Sequence, residues 1–128
     1  MTAPTGRRHG VFVIEDNADI LQAIVQVLED EGHHVVTATN GREALAMLRK
    51  GDGPLPGIIL LDLMMPVMDG WAFRAEQVAD PTLADIPVII LTADGNAAEK
   101  AAQLGCAGGL RKPVDLMTLL DAVAPYLP

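Results

Sequence analysis

Ile58-Ile59-Leu60-Leu61-Asp62 is four aliphatic residues followed at once by an acid. A strand with one face in water alternates apolar and polar side chains, whereas a central strand of a parallel sheet, covered by helices on both faces, reads as an unbroken apolar run. The stretch therefore predicts a buried central strand of an α/β protein with Asp62 at its carboxyl end. Packing does not account for an acid in that place, because carboxylates are almost never fully buried without a partner.

Outward from this strand, short β-branched runs alternate with helical patterns. Val11 to Ile14 reads as the first strand, and Ile20, Leu21, Ile24, Val25 and Leu28 recur at helical spacing until Gly32 supplies a stop. His34 to Ala38 predicts a second strand and Arg42 to Arg49 a second helix, and the Gly- and Pro-rich stretch from Gly51 to Gly57 predicts an exposed loop. Beyond Asp62, Trp71 to Val78 predicts a third helix, Pro87 to Leu91 a fourth strand and Ala97 to Leu104 a fourth helix. Ala107 to Arg111 predicts a weaker fifth strand and Leu116 to Tyr126 a closing helix. Five βα units without repeat or linker predict one domain over residues 1–128, with its core over residues 10–127 and a flexible stretch at 1–9, and leave no room for an output domain.

Half of the 128 residues are apolar, enough for one sizeable core. A net charge of -8 excludes the basic stripe with which a protein grips nucleic acid directly. The single cysteine, Cys106, has no internal disulfide partner and reads as a small packing residue. No apolar run approaches the roughly 18 residues of a membrane span, and Arg7 and Arg8 precede no signal core, so the expected location is the cytoplasm. His33 and His34 stand at the entry to the second strand, at the opposite end from the acids, and are expected to be exposed. Trp71 is expected to pack within the third helix.

The remaining polar residues gather at one edge. Glu15 and Asp16 follow strand one, Asp62 strand three, Thr92 strand four and Lys112 strand five, each at a carboxyl end. Open parallel sheets bind ligands outside that edge where the strand order reverses, and in the order 2-1-3-4-5 the crevice lies between strands one and three. Glu15, Asp16 and Asp62 would meet there. Three like charges repel, so a hard cation such as Mg²⁺, or Mn²⁺, is expected among them, together with the ammonium of Lys112. A carboxylate so placed can attack a phosphoryl donor to give an aspartyl phosphate, whose oxygens Lys112 and Thr92 can stabilise.

At this point the residues resemble the receiver domain of bacterial two-component response regulators. Ile14-Glu15-Asp16-Asn17 is similar to that family's acidic pair, and the run from Leu61 through Asp62-Leu63-Met64-Met65-Pro66 to Asp69-Gly70 to its phosphoacceptor segment. Leu91-Thr92-Ala93 and Lys112-Pro113 match its threonine and lysine segments. The resemblance spans Val11 to Tyr126 and implies a flavodoxin-like (βα)5 fold. It makes Asp62 the phosphoacceptor, Glu15, Asp16, Asp62 and the Met64 carbonyl the metal ligands, and Thr92 and Lys112 the phosphoryl contacts. It further implies a cis peptide before Pro113, a histidine kinase or histidine phosphotransfer protein as donor, and a monomer or weak dimer without direct contact to nucleic acid or membrane. A dehalogenase-type phosphatase would need an acid at position 64, where Met64 stands, and a flavin-binding module a hydroxyl- and glycine-rich loop in place of Glu15-Asp16-Asn17-Ala18.

The chain departs from the family in three places. Gly109 stands where the family commonly has an aromatic residue, Val114 follows Lys112-Pro113 where another is usual, and the interval from Thr92 to Lys112 is short. In the family the aromatic side chain moves inward with the threonine and remodels the face of helix four, strand five and helix five. Gly109 has no side chain to move, so phosphorylation is expected to change the loops near Thr92 more than that face.

Overall fold

The computed structural model describes residues 8–51 and 53–127. Strands β1 (Val11–Ile14), β2 (Val35–Ala38), β3 (Ile58–Asp62), β4 (Val88–Thr92) and β5 (Gly108–Arg111) form one parallel sheet in the order β2-β1-β3-β4-β5. Helices α1 (Ala18–Asp30), α2 (Gly41–Lys50), α3 (Gly70–Ala79), α4 (Ala97–Gln103) and α5 (Leu116–Val123) connect and cover them. This is the parallel α/β sheet that the alternating pattern predicts, in the flavodoxin-like order that the resemblance implies.

Successive side chains of a strand point to opposite faces, and the core divides accordingly. Phe12, Ile14, Ile59, Leu61, Val88 and Ile90 pack with Leu45 and Leu48 of α2, Phe73 of α3 and Ala101 of α4. Val11, Val13, Ile58, Leu60, Ile89 and Leu91 pack with Ile24 and Leu28 of α1 and Leu119 and Val123 of α5. With helices on both faces, β3 has no wet side, and this is why its sequence shows no alternation.

Four helices begin on a side-chain cap. Asn17, Asn40, Asp69 and Asp115 each accept the backbone N–H three residues on, from Ile20, Glu43, Ala72 and Thr118. Two of these caps lie beside the acidic edge, so α1 and α3 start at fixed points close to the ends of β1 and β3.

Several expectations are corrected. The stretch expected to be an exposed loop is partly interior, because Pro56 and Gly57 are buried and the Gly57 N–H donates to the Gly10 carbonyl at 2.8 Å. Of the stretch expected to be flexible, residues 1–7 lie outside the described residues; Arg8 and His9 are tied down, by a bridge from Arg8 to Leu55 and a 2.8 Å bond from the His9 N–H to the Leu55 carbonyl. The closing helix stops at Val123 and tightens into a 3₁₀ turn over Ala124–Tyr126, since Pro125 has no N–H to continue an α-helical ladder. Trp71 lies on the outer side of α3, 38% exposed, rather than packing inward. His34 is exposed as expected and stacks on His9.

A buried polar network ties α3 to α4. Arg74, 8% exposed, donates to the Leu104 and Gly105 carbonyls at 2.9 and 2.8 Å and to Gln77 Oε1 at 2.8 Å. The Gln77 amide, fully buried, donates to the carbonyls of Leu83 and Ile86. A cation over the carboxyl end of a helix is favourably placed against its dipole, so the guanidinium needs no carboxylate there.

Gly109 explains how closely α4 approaches β5. A Cβ built on it would lie 2.5 Å from the Ala97 carbonyl oxygen and 3.1 Å from Ile90 Cγ1. The first turn of α4 thus occupies the space that a side chain at position 109 would need. Gly109→Ala is expected to destabilise the protein by about 2 kcal/mol, the usual scale of overpacking against an unyielding backbone. Urea unfolding measures this, and an unchanged midpoint would mean that α4 gives way freely.

Candidate functional site

Sheet register sets the geometry of the acidic edge. Ile14 pairs with Leu61, Asp62 with Leu91 and Thr92 with Arg111, so the chain leaves β1, β3, β4 and β5 at nearly the same height. Glu15 and Asp16 follow β1 directly, Asp62 ends β3, Thr92 ends β4, and Lys112 follows β5 with its N–H on the Thr92 carbonyl at 2.8 Å. All five residues selected from the sequence for their side chains lie along this one edge.

Glu15 and Asp62 are buried, at 0% and 2% exposure, while Asp16 is exposed. One carboxylate oxygen from each of the three lies within 4.8 Å of the others. Lys112 Nζ lies 2.7 Å from Glu15 Oε1 and 3.2 Å from Asp62 Oδ1. The 2.7 Å contact is a charge-assisted pair, and it makes the ammonium the partner of the buried Oε1. Glu15 Oε2 accepts the Asn17 N–H at 3.2 Å, and Asp62 Oδ1 accepts the Met64 N–H at 3.1 Å. Met64 itself is exposed and joins the site through that N–H, whereas the ligand role of its carbonyl rests on the family resemblance.

Burial, and after it the neighbouring Glu15 carboxylate, push the Asp62 carboxyl above its ordinary value; the Met64 N–H and the Lys112 ammonium pull the other way without prevailing. Burial works against the charge on Lys112, but Glu15 and Asp62 together outweigh it and raise the ammonium above its usual range. Three carboxylates around one ammonium leave an excess of negative charge on hard oxygen donors. Such a donor set fits a divalent cation of the Mg²⁺ type, which accepts a few carboxylates and keeps waters in its other positions.

Thr92 is 2% exposed, and its hydroxyl oxygen accepts the Asp94 N–H at 3.2 Å, which leaves the hydroxyl proton free to be donated. Asp94 is in turn paired with Lys100 of α4. The Lys112–Pro113 peptide bond is cis, as the resemblance implies.

From the sequence Gly70 reads only as the end of the phosphoacceptor segment, with no structural role of its own. A Cβ there would lie 2.6 Å from the Asp62 carbonyl oxygen and 2.8 Å from Leu63 Cα, and the Gly70 N–H donates to the Leu63 carbonyl at 3.0 Å. Its missing side chain lets α3 begin against the end of β3. The available signal was a glycine placed directly after a capping aspartate, Asp69-Gly70, where helix propensity alone would favour another residue.

The sequence profile of the response regulator receiver domain matches residues 11–124. Protein PilH of Pseudomonas aeruginosa is 30% identical over 119 residues, which cover 91% of this chain and 96% of PilH. A relative from Pyropia yezoensis, named "Probable transcriptional regulator ycf29", is 35% identical over 115 residues, 88% of this chain, and the chain spans about half of its length, 50%. Among solved structures, the chemotaxis response regulator CheY4 of Vibrio cholerae superposes with a TM-score of 0.82 at 31% identity, over 94% of this chain and 100% of CheY4. The match through the strand ends that carry Glu15, Asp62, Thr92 and Lys112 places this chain in the response regulator receiver domain family.

Proposed function

We propose that the chain receives a phosphoryl group on Asp62 from a histidine kinase or histidine phosphotransfer protein in the cytoplasm, as a stand-alone regulator or a relay intermediate, with Glu15, Asp16, Asp62 and the Met64 carbonyl holding Mg²⁺ or Mn²⁺. The observation that carries this reading is the meeting of Asp62 with Glu15, Asp16 and Lys112 at one sheet edge.

An Asp62 carboxylate oxygen attacks phosphorus, the bond from phosphorus to the donor's imidazole nitrogen breaks, and its electron pair stays on that nitrogen. Asp62 is fixed for this by the Met64 N–H on one oxygen and by α3 starting against its carbonyl. Lys112, already between Glu15 and Asp62, follows the growing charge on the phosphoryl oxygens. Thr92 donates its free hydroxyl proton to one of them. A bound divalent cation supplies the further positive charge that transfer to a site with three carboxylates requires. The domain thereby catalyses its own phosphorylation and, with water as nucleophile, its own dephosphorylation. A monomer or weak dimer suffices, since every group in the scheme comes from one chain.

Incubation with a small phosphodonor and Mg²⁺ tests the proposal by intact mass. One phosphoryl group is expected on the wild type and none without the metal, and equal labelling of wild type and Asp62→Asn would overturn the assignment.

A further inference from the structure

The loop from Leu63 to Asp69 contains one strained residue. Val67 has φ +68°, and the Met68 N–H donates back to the Pro66 carbonyl at 2.7 Å, closing a three-residue turn around it. A left-handed conformation costs a β-branched residue about 1–2 kcal/mol. Val67 is 72% exposed, so packing of its own side chain does not hold the turn. The restraint comes from both flanks. On one side Met65 sits in the core, and the Gly70 N–H closes the base of the loop on Leu63. On the other, the Gly41 N–H, in the first turn of α2, donates to the Met68 carbonyl at 2.9 Å.

Gly41 is a poor helix former in a helix, which points to a reason outside α2. A Cβ at position 41 would lie 2.8 Å from Met68 Cγ, 3.0 Å from its Sδ and 2.9 Å from its carbonyl oxygen. The thioether can swing aside. The carbonyl cannot, because it is the acceptor of residue 41's own N–H. Any side chain at 41 therefore pushes on the strained turn, and Met64, on the same short loop and bonded to Asp62, moves with it.

We propose that Gly41 is a positioning residue for the phosphoacceptor loop: by letting α2 hook the Met68 carbonyl at close range, it sets the loop's metal-binding geometry. The inference rests on the metal site proposed above. Mn²⁺ is the probe, its free concentration followed by electron paramagnetic resonance in titrations of wild type, Gly41→Ala, Met68→Ala and the double variant. Gly41→Ala should bind Mn²⁺ about tenfold more weakly, the usual size of an effect transmitted through the support of a ligand. Its metal-free melting temperature should fall only slightly, because the gain in helix propensity offsets part of the contact with the Met68 carbonyl. The double variant should bind no more tightly than Gly41→Ala, since the contact with the Met68 carbonyl, the one that cannot yield, survives removal of the Met68 side chain.

Wild-type binding with an unchanged Gly41→Ala would overturn this inference alone. A loss of affinity in Gly41→Ala that is fully restored in the double variant would place the effect on the Met68 side chain rather than on the hooked carbonyl and overturn it as well. Failure of the wild type to bind Mn²⁺ would overturn the metal site itself, and the inference with it.

Discussion

Lys112→Met is expected to lower the stability of the metal-free protein by about 3 kcal/mol at roughly pH 8, the scale of breaking a buried ion pair from one side. The side chains of Glu15 and Asp62 are 0% and 3% exposed, and the ammonium that lies between them is the cation in contact with both. Methionine fills a similar volume without charge, so the loss reports electrostatics rather than a cavity. The ammonium is raised above the ordinary value of 10.5 in the fold, and its contribution is therefore undiminished at roughly pH 8 and is lost as pH rises through the higher folded value. Mg²⁺ should restore more stability to the variant than it adds to the wild type, because it replaces the missing charge as well as binding the carboxylates. Urea unfolding in chelator and in Mg²⁺ measures both effects. A variant as stable as the wild type in chelator would show that Lys112 does not neutralise this cluster.

Asp62→Asn should abolish phosphoryl uptake completely and, without metal, make the protein more stable at neutral pH. The two results have one cause. Burial and the Glu15 carboxylate raise the Asp62 carboxyl above 3.8, so the folded state holds this proton more tightly than the unfolded chain does. Asp62 accordingly favours the fold at acid pH, and that contribution is lost as pH rises from about 3.8 through the raised folded value. Asparagine keeps the shape, removes the repulsion and leaves Lys112 paired with Glu15 at 2.7 Å. The stability difference between variant and wild type in chelator should therefore open with rising pH and then level off. A difference that is flat with pH, or that favours the wild type above neutrality, would contradict the raised carboxyl.

The site was legible in the sequence because its residues stand directly after apolar strands, where neither helix faces nor packing account for them. Asp62 after Ile58-Ile59-Leu60-Leu61 is the clearest case, and Glu15, Thr92 and Lys112 follow the same rule. The fold was legible for the same reason, since strands covered on both faces lose alternation. What could not be read depends on contacts distant in the chain. Pro56 and Gly57 look like turn residues yet both are buried, and Gly57 lies inside because the backbones of Gly10 and Tyr126 close over it. Arg74 and Gln77 look like two polar residues on an ordinary helix, and their place inside is set by carbonyls of α4 and of the segment before β4. Gly41, Gly70 and Gly109 look permissive, yet each marks a place where another backbone comes too near for a Cβ.

The edge strand β5 also bears on the order of assembly. It brings Gly108, Gly109, Leu110 and Arg111, of which Leu110 alone adds a sizeable apolar side chain to the core, so burial does little to draw it onto the sheet. Directly behind it in the chain comes Lys112, while the three carboxylates belong to β1 and β3, which pair with each other and need no contact with β5. A partly folded chain with β1 and β3 in place already holds the acids together and lacks their counter-charge. Such a chain would be electrostatically frustrated until β5 docks. The Lys112 ammonium thus fastens β5, a strand with one sizeable apolar side chain, to the acids that follow β1 and end β3.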